Sequence, residues 1–342
     1  MRKIDRRTFL RISGILGIGI ATFSLPSLRR IESERFDKKN YKISCTRLGM
    51  GTFISMTIID PSRHKAEEAI GKAFERIKEL SDELNRFNSI SAVYELNSSG
   101  SIKEVPPHMG ELIRKSLGYY RMTEGCFDIT VKPIIDLFQE KFSKGLYPEE
   151  REIEERLRLV GSDKIALSGK KIFFKEKGMG ITLDGIAKGY IVDRAAEVLE
   201  RYGIENYLIN AGGDIRVKGE KSRGRPWRIA IQDPEKRGNY PDVICMKEGA
   251  IATSGNYEIY FDREKLFFHI IDPRTGRSPL TDISVSVVSK TACDADALST
   301  AVFVMKPEEG IRFINSLPKR EAFIITRERR RLKSAGWNRL KA

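Results

Sequence analysis

The block His269-Ile-Ile-Asp-Pro-Arg-Thr-Gly276, followed downstream by Asp296-Ala-Leu-Ser-Thr300, joins a candidate base to a pair of hard-metal ligands. The chain has three histidines, and His269 stands in the apolar run Leu266-Phe-Phe-His-Ile-Ile271 just before a Pro/Gly turn. That pattern predicts a strand end beside a loop, where chemistry is usually mounted. Leu298, Ala301, Val302 and Met305 recur at helical spacing, and at about 100° per residue Asp296 and Thr300 share the face opposite that stripe. A carboxylate and a hydroxyl one turn apart are oxygen donors suited to Mg²⁺. Each feature alone has a plainer reading. A histidine in an apolar run is commonly a hydrogen-bonded core residue, and Asp with Thr on a polar helix face is commonly just solvated.

Other segments supply what a diphosphate would need. Thr182-Leu-Asp184-Gly-Ile-Ala-Lys188-Gly-Tyr190 passes from a strand into a helix, with Asp184 placed as the cap and Lys188 in the first turn. Backbone N–H groups at a helix start beside a lysine form an anion site; the pattern is not a P-loop, and a capped helix with a surface lysine is the alternative. Asn210-Ala-Gly-Gly213-Asp214 puts two residues without Cβ into a strand, which admits a ligand or another backbone, or makes a bulge or a tight hairpin. Gly49-Met-Gly51-Thr52 and Ala252-Thr-Ser-Gly255-Asn-Tyr257 are further small-residue turns carrying hydroxyls. A metal-bound diphosphate would use all of these elements together.

The elements that must position them read as α+β. Thr52 to Ile59 alternates as a strand with Ile54, Met56 and Ile58 on one side, and Asp60-Pro-Ser62 starts a helix. Its apolar stripe is Ala66, Ala69, Ile70, Ala73, Phe74, Ile77, Leu80 and Leu84. Helices are expected near Met109 to Met122 and, highly charged and exposed, near Glu149 to Leu159. The later half reads as a strand at Gly180 to Leu183, a helix carrying Ile191, Ala195, Val198 and Leu199, and a strand pair within Tyr207 to Val217. Trp227 to Gln232 and Ile283 to Val287 alternate with period two, as half-buried antiparallel strands do. No clean linker divides this body.

With 342 residues, 40% hydrophobic and 32% charged, the chain can bury one large core or two moderate ones. Cys45, Cys126, Cys245 and Cys293 are scattered without C-x-x-C spacing, which argues against a structural zinc site; a single disulfide bridge stays open. Residues 1–30 read as a targeting segment: Asp5-Arg6-Arg7-Thr8-Phe9-Leu10-Arg11 is a twin-arginine pattern, and a short Gly-rich apolar stretch from Ile12 to Leu25 follows. Export in the folded state to the periplasmic or extracytoplasmic face of the membrane is the expectation, with the segment either cleaved or kept as an anchor. Residues 31–40 read as a polar linker, and 41–342 as the body. The net charge of +14 resides partly in the leader and partly in Arg327-Glu-Arg-Arg-Arg-Leu-Lys333, a solvated edge or a contact with anionic lipid. No zinc finger, RNA-binding sheet signature or helix-turn-helix pattern accompanies it, so no nucleic-acid partner is expected.

Met50-Gly-Thr52, Asp184-Gly-Ile-Ala-Lys-Gly-Tyr190 with Asp193, Asn210-Ala-Gly-Gly-Asp214, Ala252-Thr-Ser-Gly255, His269 to Gly276 and Asp294-Ala-Asp-Ala-Leu-Ser-Thr300 together resemble the ordered motif series of the ApbE-type flavin transferases. Phe127-Asp-Ile-Thr130 resembles that family's Phe-Asp-Pro-Thr turn, with Ile129 in place of proline, and Asn85 to Ser91 resembles a segment that often begins with serine. The resemblance implies a T-fold-like α+β body of largely antiparallel sheets and packed helices, with FAD in a cleft and Mg²⁺ on its pyrophosphate. It implies transfer of FMN from FAD to a threonine of an exported acceptor protein, through a phosphodiester, with release of AMP. In that reading His269, Asp296 and Lys188 are catalytic, and Gly185, Asp296 and Thr300 hold the metal. Met50, Gly51, Thr52, Asp128, Lys188, Gly212, Gly213, Asp214, Thr253, Ser254 and His269 contact FAD. His269 takes or relays the threonine proton, work worth about 10²- to 10⁴-fold. The alternatives are an FAD pyrophosphatase, in which water replaces threonine, and a flavin-binding carrier without chemistry.

Overall fold

The computed structural model describes residues 31–222, 224–234, 240–255, 270–279 and 282–341. His269, Asn256, Tyr257 and the leader lie outside these residues. Strands β1 (Glu32–Arg35), β2 (Tyr41–Gly49) and β3 (Thr52–Asp60) lead into helix α1 (Arg63–Leu84). Next come α2 (Ala92–Ser99), β4 (Ser101–Ile102), α3 (Pro107–Met122), α4 (Lys132–Ser143), α5 (Glu150–Leu157), β5 (Ile165–Ser168) and β6 (Lys171–Phe174). The second half holds α6 (Ala187–Arg201), β7 (Tyr207–Ala211), β8 (Asp214–Lys218), β9 (Trp227–Ala230), β10 (Val243–Met246) and β11 (Glu248–Gly255). The chain closes with β12 (Asp282–Ser289), α7 (Ala292–Val304), α8 (Pro307–Ser316), β13 (Glu321–Thr326) and β14 (Arg331–Lys333).

Among the described residues the main sheet runs β1-β2-β3-β7-β8-β11-β12-β13-β14, every neighbouring pair antiparallel. Period-two alternation sends consecutive side chains to opposite faces, and both faces are covered. Ile58, Ala250, Val287 and Ile324 enter a core with α1, α6 and α7, whereas Ile59, Ile251, Val288 and Ile325 enter a second core with β9, β10 and Trp337. The expectation that Ile283 to Val287 is half-buried is therefore corrected: Ser284, Val285 and Ser286 are each 1% exposed or less. The polar side of that strand is serine under a third layer, not solvent.

Helix α1 buries the eight residues of the expected stripe. Ser62 caps it, its side chain accepting from the Lys65 N–H at 3.3 Å. Truncating a fully buried member such as Ile70 to alanine would cost about 2–5 kcal/mol. Helix α5 buries only Ile153, in keeping with its charge.

Four further expectations change. Residues 180–183 form no strand, because the Asn97 amide takes both the N–H and the carbonyl of Ile181, at 2.7 and 3.0 Å, in place of a ladder. Asp184 does not cap α6, which starts at Ala187 after Ile186; its carboxylate pairs instead with Arg86 at 3.2 Å. Residues 32–35, expected as linker, extend the sheet as β1. Helix α7 is not amphipathic, since Asp296 is as buried as Leu298 and Ala301 in practice: its opposite side packs on α6. All four cysteines are free thiols.

Candidate functional site

Turns and helix starts gather at one end of the main sheet. The β2–β3 turn at Met50 and Gly51 has φ of 50° and 71°, and the β7–β8 turn at Gly212 and Gly213 has 66° and 110°, the positive-φ pairs that two-residue hairpins need. The interruption at Gly212-Gly213 is thus a tight hairpin. A Cβ at Gly212 would lie 2.5 Å from Thr52 Oγ1, so the two turns touch and only glycine fits there.

Next to these turns opens a cleft whose wall includes Asp128, Gly185, Lys188 and Asp214, together with Thr253, Ser254, Asp296 and Thr300. Eight of the residues expected to act are thereby brought together. Met50, Gly51, Thr52, Gly212 and Gly213 are not part of that wall; they form the adjoining rim, which leads directly into Asp214. His269 lies outside the described residues, while Ile270, Ile271 and Pro273 after it line the cleft. Asp272 is turned away, clasped by Arg274 through two bonds of 2.9 Å.

The charges concentrate at the start of α6. Lys188 Nζ lies 3.3 Å from Asp214 Oδ2, and the Gly189 N–H donates to Asp296 Oδ2 at 2.9 Å. Burial pushes the Asp296 pKa well above the usual carboxylate range, and the Asp214 charge adds to this; Lys188 and the Gly189 N–H pull the other way. Two carboxylates and one ammonium thus share a desolvated corner. Ser254 Oγ approaches Ser299 Oγ at 2.8 Å and Thr300 Oγ1 at 3.4 Å, which ties β11 to α7. The Thr253 hydroxyl sits 2.8 Å from that of Ser286 on β12.

Asp128 lines the cleft and also braces its wall. Its carboxylate accepts from Thr130 N and Oγ1 at 2.7 and 2.6 Å, and from Ser162 N and Oγ at 3.0 and 2.6 Å. Burial raises its pKa while these bonds oppose the shift. It locks two wall segments together, and the turn forms with Ile129 where the family motif has proline. Three residues inside the quoted motifs, though not among the expected site residues, also matter: Phe127 and Thr182 line the cleft, and Arg86, only 8% exposed, holds Asp184 at its edge.

The donors fit Mg²⁺ bound together with a phosphate. A Cβ on Gly185 would stand 3.1 Å from Thr300 Oγ1, so the Gly185 backbone and the Thr300 hydroxyl are neighbours, with Asp296 one turn before Thr300. Among the described residues no group of three or more His, Cys, Asp or Glu could hold a metal. One carboxylate, one hydroxyl and one carbonyl are the sparse set from which Mg²⁺ is usually held, its remaining positions being filled by waters and substrate phosphates.

The ApbE family model matches residues 50–324. The chain is 31% identical over 271 residues to the FAD:protein FMN transferase of Vibrio cholerae serotype O1, spanning 77% of this chain and 81% of that protein. It is 30% identical over 327 residues to the FAD:protein FMN transferase of Haemophilus influenzae, spanning 88% of each. The fold matches the ApbE protein of Thermotoga maritima with a TM-score of 0.80 at 28% identity, over 88% of this chain and 99% of that one. Against the flavin transferase ApbE of Vibrio cholerae the TM-score is 0.77 at 26% identity, with 88% and 99% covered. The α+β body of antiparallel sheets and packed helices is the architecture expected from the motifs, and the chain belongs to the ApbE family.

Proposed function

We propose that this chain is an FAD:protein FMN transferase that moves FMN from FAD onto a threonine hydroxyl of an exported acceptor protein, with Mg²⁺ as cofactor and AMP as the second product. The threonine oxygen bonds to the FMN phosphorus, the bond from that phosphorus to the bridging oxygen breaks, and AMP leaves with the bridging oxygen. The hydroxyl proton passes to His269, as general-base work requires. Lys188, at the positive end of α6, binds the pyrophosphate. Ser254, with Thr253 behind it, orients the phosphate end of the flavin nucleotide, and the touching turns at Thr52 and Gly212 bound the flavin side. Asp296, Thr300 and the Gly185 carbonyl would hold Mg²⁺, which when bound supplies Lewis-acid polarisation and a template for the diphosphate.

The observation that carries this reading is the meeting of Lys188, Asp296, Thr300 and Gly185 in one cleft of an ApbE-family chain. The twin-arginine pattern in residues 1–30 supports an acceptor outside the cytoplasm, with the enzyme on the extracytoplasmic side of the membrane. The test is incubation with FAD, Mg²⁺ and exported proteins of the same cell, followed by flavin fluorescence in a denaturing gel and assay of AMP. Covalent flavin on one protein, with equimolar AMP, is expected. Free FMN and AMP without covalent product would make the chain a pyrophosphatase, and a stable FAD complex without AMP would make it a carrier.

A further inference from the structure

Asp193 belongs to the motif series yet lies deep behind the cleft, and its contacts give it a task. Its Oδ1 and Oδ2 accept from the Ala292 and Cys293 N–H groups, both at 2.8 Å. These are the first two backbone donors of α7, which have no partner within their own helix. The Thr291 hydroxyl takes the next, Asp294, at 3.2 Å. Arg216 stands behind Asp193, its Nε 3.9 Å from Oδ1. One turn earlier on α6 the traffic reverses, with the Gly189 N–H donating to Asp296 of α7 at 2.9 Å. Each helix thus places a carboxylate on the other's N-terminal N–H groups. Two fixed points one turn apart set both the height and the rotation of α7 against α6, and therefore where Asp296 and Thr300 stand relative to Gly185 and Lys188.

We propose that Asp193, supported by Arg216, is a positioning residue of the transferase site, which registers α7 on α6 and so places Asp296 and Thr300 for the cation. The inference rests on the metal reading given above. A carboxylate suits the task because two N–H groups need two acceptors in a buried place. An asparagine offers one acceptor and turns an NH₂ toward the other N–H.

The experiment compares Asp193→Asn with the unaltered full chain, by the Mg²⁺ concentration that half-saturates covalent transfer and by the Mg²⁺-dependent rise in melting temperature with FAD present. Ile229→Ala, a buried change on β9 in the second core, across the main sheet from α6 and α7, serves as the control for simple destabilisation. Half-saturating Mg²⁺ should rise at least about tenfold in Asp193→Asn, and the melting rise should vanish at Mg²⁺ levels that saturate the unaltered chain; Ile229→Ala should lower melting without moving either. Should Asp193→Asn fail to fold, Arg216→Lys carries the comparison, with a shift of roughly threefold in the same direction. Lower melting with unchanged Mg²⁺ dependence would overturn the proposal and leave the metal assignment standing. Transfer by the unaltered chain that ignores Mg²⁺ would overturn the metal assignment, and this inference with it.

Discussion

Gly189 of α6 meets the backbone of Ala292 of α7 so closely that a Cβ at Gly189 would lie 2.3 Å from the Ala292 carbonyl oxygen. Nothing but hydrogen fits between the two helices at that point. The same approach brings the Gly189 N–H within 2.9 Å of Asp296, so the packing of α6 on α7 and the electrostatics of the cleft are one arrangement. Any side chain at position 189 must push the helices apart and move Asp296 from its donor.

Gly189→Ala should therefore destabilise the protein by about 1–3 kcal/mol, the range for overpacking, and abolish most FMN transfer. Gly71→Ala gives the opposite sign. Gly71 lies inside α1, and a Cβ there meets nothing within 4 Å, so the change should stabilise by about 0.5–1 kcal/mol through helix propensity. Thermal melting of both variants beside a transfer assay checks the pair. Equal melting of Gly189→Ala and the unaltered chain would show that the helices are not in contact.

Asp296→Ala should lower transfer by several orders of magnitude while the fold survives. Thr300→Ala should be milder, since water can replace a neutral oxygen on Mg²⁺. Asp296→Asn adds a stability readout. Asp214 and burial both disfavour the charge on Asp296, so a neutral amide that still accepts from Gly189 should leave the melting temperature at pH 7 unchanged or raised, even as transfer is lost. His269→Ala should reduce kcat by about 10²- to 10⁴-fold with little change in FAD affinity, as expected of a group needed mainly in the transition state. Near-normal transfer by Asp296→Ala at limiting Mg²⁺ would remove the metal assignment.

What the chain revealed by itself follows the range of the physics involved. The α1 stripe was legible because apolar and polar residues segregate at a fixed angle over six turns, and Ala66 to Leu84 are buried as the spacing required. The α7 environment was not, because Asp296 looks like a solvated residue until Gly189, more than a hundred positions earlier, is placed beside it. The missing strand at 180–183 has the same cause. The Asn97 amide substitutes for a neighbouring strand at Ile181, and no local pattern announces a side chain that does so. Asp128 shows the complement: it lies in the cleft wall, where the motif puts it, and its bonds to Thr130 and Ser162 give it a bracing task that no local pattern announces.

Export is open to a direct genetic test. Arg6 and Arg7 precede a stretch in which Gly14, Gly17 and Gly19 dilute the apolar residues, the weakly hydrophobic kind of leader that the twin-arginine route reads. Replacing both arginines by lysine keeps the charge and should leave the protein in the cytoplasm, with acceptor flavinylation lost in the cell but retained in extracts. Fractionation and acceptor fluorescence measure the two effects. Undiminished export of the lysine variant would count against this route.

Acid should weaken the far side of the sheet through Asp242. Burial raises its pKa, but bonds from Lys333 at 2.5 Å, from Trp337 Nε1 at 3.0 Å and from the Val243 N–H at 3.0 Å outweigh this, so the carboxyl titrates below its ordinary value. A folded-state pKa below the unfolded one, which lies near 3.9, means that the ionised carboxylate stabilises the fold fully above about pH 4. That contribution fades as the pH falls from there through the folded-state value. Because Lys333 is partly exposed, screening limits the effect to about 1 kcal/mol, or roughly 2 °C in a chain of this size. Asp242→Asn should therefore melt lower than the unaltered chain at pH 7, and the gap should close as both are taken toward pH 3. The same variant should leave Mg²⁺-dependent transfer at neutral pH unaffected, since Asp242 braces Trp337 in the second core, across the sheet from α6 and α7. A gap that persists or widens in acid would show that the Asp242 charge is not what holds Trp337 and Lys333 in place.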